Sequence, residues 1–529
     1  MKASDVLVSC LENEGVEYIF GIIGKEVIDL ADSLSKSKQI QFVPVRHEQG
    51  AAFMAGVYGK LTGKPGVCLA TLGPGATNLL TGIATAHLDH SPVIALTGQK
   101  VLNMQHKSAH QYIGISRVFE PASKWSHQIL SANTIPEVIR KAFRVALTEK
   151  PGAVVLEIPE NVANENVTTK PLPVTVLPES VPSIEALKSA KVLIDQSIHP
   201  FIIIGNGVIR GGAVKEVQAF IDQLGCPITT SFMAKGILPT DHPENYFTFG
   251  FTNKDYVTRG IDEADLLIVI GLDFEEKLPT EWNRKKIPII HIDATPAEVD
   301  EYYPVKAELV GSIRLTLALL ISNGIISTGW KPSGKLKDRI EMSYLIEENS
   351  NKDTFLTIEN ILHVIEKVSN EQTIIVSDVG SHKISIARMF QPRNANQLIM
   401  SNGFASMGIS IPGAIGAKFA CPDQTVICIT GDGGALMTFS ELETAKRLGL
   451  SFVIIVLNDS ILKLEVEMMN QKFGESFGTT FANPDFLLLA NSFGIKGVRP
   501  NSTIEFEEML RNAIGSKNEL ILFDIKTVI

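Results

Sequence analysis

The feature that most constrains this chain is the regular return of short, wholly apolar runs. They are VCLATL (67–72), PVIALTG (92–98), AVVLEI (153–158), FIIIG (201–205), LLIVIG (266–271), PIIHID (288–293), TIIVSD (373–378), TVICITGDG (425–433) and FVIIVLND (452–459). A bilayer span needs about 20 apolar residues, so no membrane segment is expected from runs this short. They are the right length for strands buried on both faces. Amphipathic stretches of helical period separate them, and strands alternating with helices build parallel sheets covered on both sides. The predicted fold class is α/β, with three doubly wound parallel-sheet domains.

Three domains also suit a chain of 529 residues, since domains commonly run to about 100–200 residues. Two stretches break the alternation. ENVTTKPLPVTVLPESVPSIE (165–185) has no helical period, and a polar, charged stretch begins at residue 323. Both read as linkers, which gives domains at 1–165, 185–322 and 350–529, with linkers at 166–184 and 323–349. The net charge of −10 argues against a nucleic-acid partner, because phosphate binding needs clustered Lys and Arg. Five cysteines, at 10, 68, 226, 421 and 428, form no C-x-x-C pair. That usage predicts reduced thiols and a cytoplasmic protein.

The strongest chemical signal lies in the third segment. The apolar run TVICIT ends in Gly431-Asp432-Gly433-Gly434, and FVIIVL ends in Asn458-Asp459-Ser460. Two parallel strands joined by one helical stretch bring both carboxyl ends to the same sheet edge, where ligands bind in open α/β sheets. Asp432 and Asp459 can then meet one metal ion. A hard cation such as Mg2+ takes oxygen ligands and joins carboxylates to a ligand's phosphates. The glycines let backbone N–H groups approach those phosphates at a helix start.

Gly-Asp-Gly followed after 24 residues by Asn-Asp resembles the metal-diphosphate motif of thiamine-diphosphate enzymes. The resemblance implies that Asp432, Asp459 and the backbone carbonyl of Ile461 hold the metal. Gly431, Gly433, Gly434, Leu462 and Leu464 would then border the cofactor. Val379-Gly380-Ser381-His382 matches the family's other diphosphate loop. Within Ser401–Gly408, Gly403 and Ser406 would border the cofactor and Met407 would prop it in its bent form.

The first segment carries Arg46-His47-Glu48 ahead of the small-residue helix AAFMAGVYG. Small residues allow close helix packing, and a carboxyl group shielded at the helix head favours its neutral, hydrogen-bond-donating form. That suits thiamine chemistry, in which a carboxylic acid bonded to the pyrimidine ring activates the cofactor. With GPGATN (73–78) downstream, the whole of 1–160 resembles the pyrimidine-binding domain of the acetolactate synthase group. The resemblance extends over essentially the entire chain and is nearest to the flavin-free, catabolic-type large subunits. It implies that Glu48 of one subunit serves the diphosphate domain of another, hence a homodimer or homotetramer. It also implies that Thr77 and Asn78 line the cofactor pocket and that Gln111 and His110 face the substrate. The expected substrates are small 2-oxo acids, and the expected reaction joins two pyruvates into 2-acetolactate and carbon dioxide.

The chain also departs from the family. Gly24-Lys25-Glu26 places charged residues where the family has small ones beside the substrate, so Lys25 is a candidate catalytic residue unless both side chains reach out to solvent. Met468 stands where a substrate-side Trp is usual, which leaves room for a different 2-oxo acid or aldehyde partner. A non-catalytic, cofactor-binding subunit is a third reading, opposed by the presence of Glu48 and both aspartates. In the middle segment Gly205-Asn206-Gly207 is a weak dinucleotide hint. Asp273, Glu275 and Glu276 would repel a pyrophosphate, so FAD is not expected.

Overall fold

A computed structural model of the chain describes residues 1–251, 255–324, 329–344, 356–516 and 519–527. It contains three six-stranded sheets. The first runs Gln41–Pro44, Tyr18–Gly21, Gly66–Ala70, Val93–Gln99, Ala153–Pro159 and Trp125–Gln128. The second runs Val305–Val310, Ile289–Asp293, Leu266–Ile270, Pro200–Ile204, Ile228–Thr230 and Asn245–Thr248. The third runs Leu398–Ile399, Thr373–Ser377, Thr425–Gly431, Val453–Asn458, Ile521–Lys526 and Lys496–Val498. The strands pair in parallel throughout, for example Ile429 beside Ile455. All nine apolar runs of the sequence lie in central or near-central strands, where both faces are covered.

Each sheet has a point where the chain reverses its direction of winding. It falls between Tyr18–Gly21 and Gly66–Ala70, between Pro200–Ile204 and Leu266–Ile270, and between Thr373–Ser377 and Thr425–Gly431. The crevice beyond the carboxyl ends of such a strand pair is the natural ligand position in an open α/β sheet.

The third sheet shares a hydrophobic core with each of the others. Val43, Ala55 and Leu79 of the first domain pack in one cluster with Ile411, Ala414 and Ile454. Phe201, Trp282 and Leu267 of the central domain pack with Ile365, Ile427 and Phe523. The helix Glu48–Thr62 meets the helix Ser410–Ala420 at near-backbone distance. A Cβ on Gly416 would lie 2.4 Å from the Met54 carbonyl oxygen, so a larger residue there would push the two domains apart.

Residues 166–182 carry no helix, and the next helix is Ile184–Gln196. Between the second and third sheets, however, Gly334–Tyr344 is a helix that buries Leu336, Ile340 and Tyr344. These residues sit four apart and join the core shared by the central and third domains. The polar composition of the stretch hid this narrow apolar stripe. Residues 325–328 and 345–349 of the expected linker lie outside the described residues.

Candidate active site

The reversal point of the third sheet opens into a cavity of about 480 Å3. Val379, Gly380, Ser381, His382, Met407, Gly431, Asp432, Gly433, Gly434, Asp459, Ile461, Leu462 and Leu464 all line it. Asp432 opens the helix Asp432–Thr438 and is 2 % exposed. Its Oδ1 accepts from the Gly433 N–H at 2.8 Å. Its Oδ2 accepts from the N–H groups of Asp459 at 3.1 Å and Ser460 at 2.6 Å. The two strand ends are thereby tied together at the metal-type acids. Burial pushes the Asp459 carboxyl up and the nearby Asp432 adds to this, while the Ile461 N–H opposes it. Two neighbouring acids in one half-buried cavity are an arrangement that a cation stabilises.

The backbone after Asp459 is set by a short antiparallel pairing. Leu462 N–H donates to Thr479 at 2.8 Å and Phe481 N–H donates to Ser460 at 3.1 Å, bracketing an Ile461–Thr480 bridge. That ladder turns the Ile461 peptide to its other side, where its N–H meets Asp459 Oδ1 at 3.2 Å. Among the described residues no group of three or more His, Cys, Asp or Glu could hold a metal. Any cation here therefore needs oxygen from backbone, solvent or ligand as well as the two acids. Among the buried polar atoms without a partner are Nε2 of His382 and Oδ1 of Asn483, whose amide nitrogen bonds Asp432. His382 lines the cavity and burial lowers its pKa. Orphaned polar atoms beside two acids and a glycine-lined floor fit a metal-bound diphosphate.

Gly403 and Ser406 lie outside this lining. A Cβ on Gly403 would be 2.3 Å from the Leu88 carbonyl oxygen, so that glycine serves the packing of first domain on third. The Ser406 hydroxyl donates to the Met407 carbonyl at 3.2 Å.

A second group of residues gathers at the carboxyl edge of the first sheet. Asn78 donates its side-chain amide to Glu48 Oε2 at 2.9 Å. A Cβ on Gly75 would lie 3.1 Å from Glu48 Oε1, one on Gly73 would lie 2.5 Å from the Gln111 carbonyl, and one on Gly24 would lie 2.5 Å from Thr71. Lys25, Thr77, His110 and Gln111 are exposed at this edge, whereas Glu48 is buried. Glu26 does not reach solvent, as a snorkelling side chain would. It is 5 % exposed, and its carboxylate takes Lys100 Nζ at 2.8 Å and Thr71 Oγ1 at 3.0 Å. No described residue before Thr357 lines the large cavity. Within one chain, then, the first-sheet and third-sheet groups stand apart.

Two family descriptions fall on these two edges. The N-terminal TPP binding domain of thiamine pyrophosphate enzymes matches residues 1–117, and the C-terminal TPP binding domain matches 378–525. The central domain of the same enzymes matches 187–320. A probable acetolactate synthase large subunit of Methanococcus aeolicus is 34% identical over 99% of this chain and 91% of its own length. An acetolactate synthase of Bacillus subtilis is 31% identical over 98% and 92%. An acetolactate synthase large subunit of Haemophilus influenzae is 30% identical over 99% and 94%. The chain belongs to the thiamine pyrophosphate enzyme family. It is a thiamine-diphosphate-dependent enzyme.

Several residues that shape this cavity carry no motif in the sequence. Asn483 donates to Asp432 Oδ2 at 2.7 Å, Asn458 Oδ1 at 3.0 Å and Ser460 Oγ at 3.1 Å. Buried Asp378 accepts from Val379 N–H at 2.7 Å, Gly408 N–H at 2.8 Å and Ser410 Oγ at 2.6 Å. It ties the Val379–His382 loop to the segment after Met407. A Cβ on Gly434 would sit 2.9 Å from Asp378, so this glycine of the motif is required by packing as well as by any phosphate. Thr357, Glu359 and Thr527 also line the cavity. Only the acidic Ser377-Asp378 strand end could have been noticed beforehand, as a polar break in an apolar run.

The central sheet's reversal point is filled by the protein itself. Gly205 and Gly207 press against the Gly271–Leu272 backbone. Glu276 Oε1 accepts from the Asn206 N–H at 2.9 Å, the position a pyrophosphate would need, and Oε2 bonds to the Ser231 hydroxyl. Arg210 Nη1 and Lys150 Nζ reach buried Asp273 at 2.6 Å and 3.0 Å. Burial would raise the Asp273 carboxyl, but Arg210, His90 and Lys150 outweigh it and hold it well below the usual range.

Proposed function

We propose that this enzyme decarboxylates a 2-oxo acid and joins the remaining fragment to a second one, in the manner of an acetolactate synthase. The reading is supported by full-length similarity to proteins of that name and by one observation above all. Asp432, Asp459 and the Ile461 peptide converge on a cavity bordered by His382 and Met407. In this reading Asp432, Asp459 and the Ile461 carbonyl hold Mg2+. Gly380, Ser381, His382, Gly433 and Gly434 hold the diphosphate, and Met407 supports the rings between them. Thiamine diphosphate, when bound, supplies the nucleophilic carbon and the electron sink. Glu48, oriented by Asn78, holds a proton against the pyrimidine ring. Gln111 and His110 handle the acceptor.

The separation of the two sheet edges within one chain supports an assembly of two or more subunits. Glu48 of one subunit would complete the cavity of another, giving a homodimer or homotetramer. All five cysteines are free thiols, four of them buried, in keeping with a reducing cytoplasm. No described helix is long and apolar enough to cross a membrane. The test is product analysis after incubation with pyruvate, magnesium and thiamine diphosphate. Acetolactate is the expected product, and absence of pyruvate turnover overturns this reading.

A second reading, a different 2-oxo acid or aldehyde acceptor, draws on two features. Lys25 adds an exposed cation at the first-sheet edge. The helix Lys463–Phe473 beside the cavity buries none of its residues, and Met468 is 62 % exposed. A panel of oxo acids and aldehydes, scored for carbon dioxide and for coupled product, separates the two.

A further inference from the structure

A buried glutamate that belongs to neither motif ties the loop ahead of Glu48 to the third domain of the same chain. Glu441 begins the helix Glu441–Arg447 and is 0 % exposed. Its Oε1 accepts from the backbone N–H of His47 at 2.9 Å and of Arg46 at 3.1 Å. Its Oε2 accepts from Thr444 Oγ1 at 2.8 Å. Arg447, on the same short helix, donates to the Pro44 carbonyl at 2.5 Å. The loop that leads into Glu48 is therefore held by two side chains of the third domain. Gly50 leaves room for this contact, because a Cβ there would lie 2.6 Å from Glu441 Oε1.

We propose that Glu441 is a positioning residue: it fixes the backbone from which Glu48 projects and so sets where the Glu48 carboxyl group stands. This rests on the reading of Glu48 as the activating acid. The side chain of Glu48 is held at its tip by Asn78 and at its root by Glu441 through residues 46 and 47. The helix Asp432–Thr438, which carries the metal-type acid, leads after two residues into Glu441. The segment that follows this helix thus holds the backbone ahead of the acid that, in the assembly proposed above, serves the other cavity.

A purely structural role makes a different forecast. Arg46 and His47 are exposed residues, so water can take over their N–H groups when Glu441 is removed. Stability would then change little, and so would activity. A positioning role predicts a loss confined to cofactor activation, because misplacement by about 1 Å can cost about a hundredfold in rate.

The experiment compares Glu441→Ala, Glu441→Gln and Glu441→Asp with the wild type. Gln keeps an oxygen for both N–H groups, and Asp keeps the charge but withdraws it from them. In the protein without cofactor, amide hydrogen exchange of the segment containing Arg46 and His47 should rise in Ala and Asp and stay at the wild-type level in Gln. With saturating magnesium and thiamine diphosphate, C2-proton exchange on the bound cofactor should fall by about a hundredfold in Ala and Asp and recover in Gln. Cofactor affinity should be unchanged in all three. Wild-type C2 exchange in both Ala and Asp, or an affinity loss that matches the loss of exchange, overturns the proposal. Glu48→Gln run alongside keeps the two ideas apart. If that variant exchanges normally, the reading of Glu48 has failed. If it is slow while the Ala and Asp variants of Glu441 are normal, only the role of Glu441 has failed.

Discussion

Asn78 donates its side-chain amide to Glu48 Oε2 across 2.9 Å, and this bond orients a buried acid that heads a helix at the carboxyl edge of the first sheet. Glu48→Gln keeps the shape and an acceptor for Asn78 but cannot supply a carboxyl proton. Cofactor and magnesium affinity should stay near wild type, while C2-proton exchange, followed by NMR, slows by about 10²–10⁴-fold. Exchange at the wild-type rate would remove Glu48 from the mechanism.

Asp432 and Asn483 form the corresponding pair on the third sheet. Asp432→Ala removes the acid proposed to hold the metal and should abolish tight cofactor retention without unfolding the domain. Asn483→Ala leaves the acid in place but unaligned, and metal affinity should fall by about 10–100-fold, the usual cost of losing a partner that orients a ligand. Calorimetry with magnesium and thiamine diphosphate measures both. Unchanged affinity in Asp432→Ala means that the metal lies elsewhere.

The purified enzyme should show no flavin absorbance after denaturing release. Glu276 already occupies the Asn206 N–H that a pyrophosphate would use. A stoichiometric flavin spectrum contradicts this.

Glu276 also gives the protein a pH signature. Burial, with Asp273 nearby, raises its carboxyl from 4.5 to about 7, against the opposing Asn206 N–H and Ser231 bonds. Between those two values the native state keeps a proton that the unfolded chain releases, so this group's contribution to stability falls as pH rises through the window. Glu276→Gln should flatten that part of the Tm-against-pH profile. Identical slopes for mutant and wild type would mean that Glu276 ionises normally in the fold.

Lys25 should act on the acceptor step. It is exposed at the edge that carries Gln111 and Glu48, and a cation there would act on an anionic acceptor in an enclosed site. Lys25→Gly is expected to change the ratio of carboligation to simple decarboxylation. Equal product ratios for the two proteins would show that Lys25 only meets solvent.

The three α/β sheets and the position of the third-sheet acids were legible in the chain, because both signals are local. A strand buried on both faces must be continuously apolar, and a strand end that carries Gly-Asp-Gly sits at the ligand edge once its neighbour is parallel. The sequence could not mark the edge strands. Trp125–Gln128 is only half-buried and Leu398–Ile399 is two residues long, so neither leaves a periodic trace. It read Gly334–Tyr344 as a connection because a helix that buries only Leu336, Ile340 and Tyr344 is polar almost everywhere. The roles of Asn483 and Glu441 came from tertiary structure alone. Their partners lie far away in the chain, 51 residues for Asn483 with Asp432 and 394 for Glu441 with His47. A hydrogen bond closed across such a distance exists only after the sheets have packed and the donor is denied water. The same packing set the first-sheet and third-sheet edges of one chain apart, which no run of residues could have announced.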